Sequence, residues 1–142
     1  MQRFWTLLLT PVLALTVFLT GSPAANAFGG EVLGCAWNYG TWYANDCGGG
    51  NGTLGFSVHN LSGSYSYNWT VTYGGYPFTR QCSSGIQPCI LGGCTVTSSS
   101  CLVFAGDPAP LHDRVVAATL RLTQSAQSRT LTASGTALAA SP

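Results

Sequence analysis

Residues Ser64 to Tyr73, SYSYNWTVTY, form the longest strictly alternating stretch of the chain. Tyr65, Tyr67, Trp69, Val71 and Tyr73 are aromatic or aliphatic; Ser64, Ser66, Asn68, Thr70 and Thr72 are small and polar. Side chains on a strand point to opposite faces in turn, so the stretch reads as one strand with a dry and a wet face. Aromatic and β-branched side chains also pack well on a pleated surface. Trp69, bulky and in the middle of the dry set, is expected at the centre of the core.

The same alternation recurs on both sides. Thr53 to His59 places Leu54, Phe56 and Val58 on one face, and Asn60 to Gly63 carries turn residues. Two strands joined by so short a link are expected to pair as antiparallel neighbours. In the last third, Val116, Ala118, Leu120 and Leu122 alternate with Ala117, Thr119, Arg121 and Thr123. Ser125 to Ser128 turns the chain, and Leu131, Ala133 and Ala137 resume the dry face. Gly135 marks either a bulge or a close backbone approach. Short strands are expected at Cys94–Thr97 and Cys101–Phe104. The glycine run after Cys47 reads as a turn or flexible loop. Cys82–Cys89 and Gly106–Pro110 read as longer loops. Many short strands with Gly and Pro turns, and no amphipathic helix, argue an antiparallel β-sandwich rather than βαβ units.

The first 27 residues have the order of a secretory signal: Arg3, an apolar run to about Leu19, then Ala25-Asn26-Ala27. Cleavage after Ala27 leaves residues 28–142 as a single domain, outside the membrane and secreted. Residues 28–52 form a cysteine-bounded aromatic segment leading into it. That chain has no lysine, and Arg80, Arg114, Arg121 and Arg129 offset Glu31, Asp46, Asp107 and Asp113. A neutral chain has no charge to attract nucleic acid or an anionic membrane surface. The lysine-free composition and the A-x-A site lean bacterial.

All six cysteines, Cys35, Cys47, Cys82, Cys89, Cys94 and Cys101, follow the leader, which reads as a disulfide framework. Cys35–Cys47 is the expected first bridge, with the other four pairing among themselves. Cys89 to Cys94 is one candidate hairpin held by its own bridge. No C-x-x-C occurs and no zinc-module spacing is present, so no metal and no cofactor are expected.

With these strands in place, the chain resembles the immunoglobulin-like sandwiches of secreted bacterial proteins, nearest to the polycystic-kidney-disease (PKD) type repeat. Tyr65-Ser-Tyr-Asn-Trp69 is similar to that family's Y-x-W strand. Val115–Thr123 with Arg129–Thr136 is similar to its closing hairpin. The resemblance spans roughly Thr53 to Ala140. It implies an immunoglobulin-like β-sandwich whose role is extracellular binding, adhesion or spacing, without chemistry of its own.

The residue inventory agrees with a non-catalytic role. The two histidines, His59 and His112, come with no G-x-S-x-G elbow. The acids all sit in expected loops or the lead, where solvated carboxylates are the plain reading. Asn45, Asp46 and Asn51 read as turn formers. Asn51, Asn60 and Asn68 head Asn-x-Ser/Thr sequons, taken as coincidental. The aromatic cluster carries the functional expectation, beside the plainer reading that these rings fill the core of a small domain with few other large side chains. Trp37, Tyr39, Trp42, Tyr43 and Tyr76 are the candidate ligand-binding residues, because flat aromatics on a rigid loop offer large contact area at low entropy cost. Trp42, on the parity opposite to its neighbours, is the one expected to be exposed. The expected partner is an extracellular ligand, with polysaccharide the leading candidate. The alternatives are a small-ligand carrier, like the similarly sized secreted actinobacterial chromophore-binding apoproteins, or a protease inhibitor.

Overall fold

Alternation becomes architecture in a computed structural model that describes residues 28–78, 90–106 and 110–141. The expected leader, Cys82, Cys89 and the loop between them lie outside the described residues, as does Asp107. Ten strands occur and no helix among the described residues: β1 (Val32–Trp37), β2 (Tyr43–Ala44), β3 (Asp46–Gly50), β4 (Thr53–His59), β5 (Ser66–Tyr73), β6 (Tyr76–Pro77), β7 (Ile90–Gly93), β8 (Ser100–Phe104), β9 (Arg114–Gln124) and β10 (Gln127–Ala137). They form two five-stranded sheets, in the orders β2-β1-β4-β8-β7 and β3-β10-β9-β5-β6. All the pairings are antiparallel except β3 with β10, which is parallel.

The dry faces of both sheets share one core. The first sheet supplies Leu33, Leu54, Phe56 and Val103, and the second supplies Val116, Leu120, Leu122 and Ala133, all buried. Register aligns them in rows: Trp69, Leu120 and Leu131 lie side by side, as do Val71, Ala118 and Ala133. The closing hairpin therefore holds as read, with Ser125 taking the left-handed conformation of the tight turn. Gly135 fulfils the first of its expected roles, the bulge, and what comes close to it is side chain rather than backbone. The β3–β10 register shifts beside it, and a methyl there would crowd Leu54 and Trp37.

Five local expectations are overturned. Trp69 is half-buried at the margin of the core, not at its centre. Its indole N–H donates to the Ser98 carbonyl at 2.9 Å, so it needs the rim, where a partner is available. The core's largest fully buried side chains are Phe56, Leu33, Leu54, Leu120 and Leu122. β4 and β5 are not neighbours. β4 is flanked by β1 and β8, and the Asn60–Tyr65 link carries the chain across to the other sheet. The glycine run after Cys47 is not a loop but strand β3. Glycine is needed there because the Trp37 indole lies on Gly50, where a methyl would overlap it, and donates to the Gly48 carbonyl at 3.3 Å. Lastly, Cys94 pairs with Cys101, not with Cys89, because β7 and β8 are antiparallel and Gly93 sits opposite Cys101. Residues 94–99 then form a loop instead of a strand. That loop covers the open edge of β5, with the Tyr67 N–H donating to the Val96 carbonyl at 3.0 Å.

The Cys35–Cys47 bridge forms as expected, and it joins β1 of the first sheet to β3 of the second. Two disulfides are consistent with an extracellular or secreted protein.

One acid departs from the solvated reading. Glu31 is buried. Its Oε2 accepts from the Gly29 N–H at 2.9 Å and from Arg129 at 3.1 Å, and its Oε1 accepts from the Tyr65 hydroxyl at 2.9 Å. Burial pushes its pKa up. Hydrogen bonds from its own backbone, Gly29 and Tyr65, with the Arg129 charge, outweigh that and hold it below the ordinary 4.5. A lowered carboxylate pKa stabilises the fold above the ordinary value, and that contribution is lost as pH falls through the lowered one. Chemical denaturation is therefore expected to show stability declining as pH drops below about 4.5. Glu31→Gln should flatten that decline and cost about 2 kcal/mol at neutral pH.

Candidate functional site

The two outer faces differ in chemistry. On the second sheet the solvent-facing positions include Ser66, Asn68, Thr70, Thr119, Arg121, Thr130 and Thr132, all exposed and polar, with Val115 and Ala117 the apolar exceptions at the start of β9. This is the usual wet face of a half-buried sheet. On the first sheet the corresponding positions include Gly34 and Ala36 on β1, Gly55 and Ser57 on β4, and Leu102 on β8. Register places Ala36, Gly55 and Leu102 side by side, with Gly34, Ser57 and Ser100 in the next row. Small residues thus make a floor where a solvated sheet would carry threonine and charge.

Two aromatics wall that floor. β1 ends at Trp37 with Asn38 and Tyr39 both in the left-handed region, at φ 50° and 59°, and the Gly40 N–H closes the turn on the Trp37 carbonyl at 2.9 Å. Asparagine tolerates that conformation, and Asn38 is further held by its side chain. Its Oδ1 accepts from the Thr53 N–H at 2.9 Å and its Nδ2 donates to the Asn51 carbonyl at 2.7 Å. Tyrosine in that conformation is strained by about 1–2 kcal/mol. Tyr39 nevertheless stays 77% exposed, so burial gives nothing in return. The chain then brings Trp42 back over β1. Its indole lies on Gly34, where a methyl would overlap the ring and the Tyr43 carbonyl, and it stacks on the His59 imidazole with centroids 3.9 Å apart and planes 5° from parallel. The indole N–H is buried without a hydrogen-bond partner among the described residues.

Between these walls runs a groove of about 160 Å³, floored by Ala36, Gly55 and Ser57 and closed on the far side by Leu102. Thr53 and Ser100 stand at its ends. The groove has the volume for a single small ring, below the range of drug-sized pockets.

Of the expected binding residues, the structure brings Tyr39 and Trp42 together and leaves the others elsewhere. Trp42 is half-buried rather than exposed, because glycine at position 34 gives its indole a seat. Trp37 turns toward the core side, against Gly50 and Gly135. Tyr43 is exposed on β2, but it pairs with inward-facing Cys35 and so lies on the parity opposite to the groove. Tyr76 is exposed on β6, at the edge of the other sheet. Sequence reasoning missed Gly34, Gly55, Ser57, His59 and Leu102. One signal was present: the wet-parity positions of β1 and β4 hold Gly34, Ala36 and Gly55 where polar side chains belong.

A second, larger cleft of about 530 Å³ lies between the β5–β6 edge and β7, lined by Trp69, Val71, Phe78, Ile90 and residues 91–95. Comparison with protein-family models, curated proteins and solved structures finds no match to this chain.

Proposed function

We propose that the chain is a secreted, non-catalytic domain of immunoglobulin-like type that binds a ligand outside the cell, with a glycan the favoured class and the outer face of the first sheet as the binding face. The observation that carries this reading is the contrast between the two outer faces. One is the ordinary hydroxyl-rich surface of a solvated sheet; the other is a small-residue floor between Tyr39, Trp42 and Leu102. Tyr39 supports it as well. A bulky residue kept strained and exposed beside a groove has a use other than stability.

This reading is tested by retention of the intact, oxidised protein on a panel of insoluble polysaccharides. Tyr39→Gly is the informative variant, because glycine adopts φ > 0 without strain. Its melting temperature is expected to hold or rise, with about 1 kcal/mol of strain relieved, while retention on the polysaccharide that holds the wild type is lost. Equal retention by Tyr39→Gly would remove Tyr39 from the site and the reading with it.

The 530 Å³ cleft favours a second reading, a small-ligand carrier, since that volume is in the range of small-molecule sites. A carrier yields a coloured or lipidic extract when purified from its native source. A clean extract goes against it.

A further inference from the structure

Resting on the assignment of that outer face as a binding face, we infer that the groove takes one neutral hexopyranose unit, with its C–H face on Tyr39 and its hydroxyls on Ser57 and Thr53. Three features of the groove select this class over other flat ligands.

The first is charge. Every residue lining the groove is uncharged. A uronate, a sialic acid or a phosphate would lose its hydration there and gain no counter-charge, which is costly. A neutral ring loses little.

The second is unmet hydrogen bonding. Thr53 and Ser57 are half-buried, and their hydroxyls have no hydrogen-bond partner among the described residues. An aromatic hydrocarbon seated in the groove would shut water away from these groups and replace nothing, at about 1–3 kcal/mol for each group left unpaired. A sugar answers them, because each of its hydroxyls can donate or accept, as can those of serine and threonine.

The third is shape. Gly55 lies between Thr53 and Ser57 on the outer face of β4, and the two hydroxyl-bearing residues are about 13 Å apart along the strand. That is roughly one pyranose with a hydrogen bond at each end. The absence of a side chain at Gly55 lets a ring lie flat on the backbone, and its nearest side-chain neighbour is Leu102, which closes the far wall. A pyranose is amphipathic in the matching sense, with apolar faces and a polar rim.

The test is an amide-resolved NMR titration of the intact, oxidised protein. The probes are methyl glycosides of glucose, galactose, mannose and N-acetylglucosamine with soluble oligosaccharides of the same sugars, glucuronate as a charged pyranose, and indole as a flat apolar ring. At least one neutral sugar is expected to shift the amides of Ala36, Gly55 and Ser57, with glucuronate at least about tenfold weaker. Ser57→Ala should weaken that sugar by about tenfold, the loss of one hydrogen bond, with the rest of the spectrum unchanged. If indole shifts those amides and no neutral sugar does, the sugar assignment is wrong and the face remains a binding surface. If Ser57→Ala binds the sugar as well as the wild type, the hydroxyl contact is wrong and the inference falls. If none of the probes moves those amides in the folded protein, the inference and the proposed binding face fail together.

Discussion

Gly34→Ala is expected to destabilise the protein by about 3 kcal/mol, more than most single substitutions. Ordinarily alanine improves on glycine in a strand. Here the added methyl would overlap both the Trp42 ring and the carbonyl oxygen of Tyr43. Neither can yield cheaply. The indole is pinned between β1 and the His59 imidazole, and the Tyr43 carbonyl belongs to the strand paired with β1. Relief therefore means expelling Trp42 from its seat and loosening β2. Gly55→Ala is the control on the same face. Its methyl would meet only the tip of Leu102, at 3.1 Å, and a flexible side chain can move aside. It should change stability by less than about 1 kcal/mol. Denaturant midpoints at unchanged slope compare the two. Equal effects would mean that the indole is not seated on Gly34.

Removing the Cys35–Cys47 bridge by paired alanine substitution is expected to cost a similar amount, about 3 kcal/mol. The bridge spans 12 residues of sequence, Cys35 is fully buried and Cys47 nearly so, and it ties one sheet to the other. It also holds β3 in place, and β3 is composed largely of glycine and has few side chains to anchor it. Paired substitution of Cys94 and Cys101 opens a shorter loop within a single sheet, with a separation of 7, and should cost somewhat less. Thermal unfolding of the oxidised variants gives the order. A loss under about 1 kcal/mol for the inter-sheet bridge would show that β3 is held by its pairing with β10 alone.

These two sites also mark where reading the residues succeeded and where it stopped. Strands with one wet and one dry face announce themselves, and β4, β5, β9 and β10 were legible residue by residue from alternation. Strand β3 was not, because Gly48, Gly49 and Gly50 have no side chains to alternate. Gly49 and Gly50 let Leu138 and Trp37 approach, which depends on residues distant in sequence, and Gly48 takes a positive φ. Sheet membership was illegible for a different reason. The link from Asn60 to Tyr65 is as compatible with crossing between sheets as with a hairpin, and only the competition of β1 and β8 for the edges of β4 decides it. Glu31 was read as a solvated acid of the lead because its partners, Tyr65 and Arg129, come from far along the chain.

The site was half legible. Aromatic content drew attention to Tyr39 and Trp42 without locating a groove. Parity assigned Trp42 to solvent, and parity fails here because the turn at Asn38–Tyr39 resets the alternation and Gly34 accepts the ring. The signal that would have helped is negative: small residues at positions where a solvated strand ordinarily shows threonine or charge.

The proposed binding face depends on an indole lying flat on a glycine. Proton NMR of the oxidised protein tests that directly. The Gly34 α-protons and the His59 ring protons are expected to be shifted upfield by the Trp42 ring current, with nuclear Overhauser contacts from both to the indole. Ordinary shifts for those protons, with no contacts to Trp42, would contradict the account.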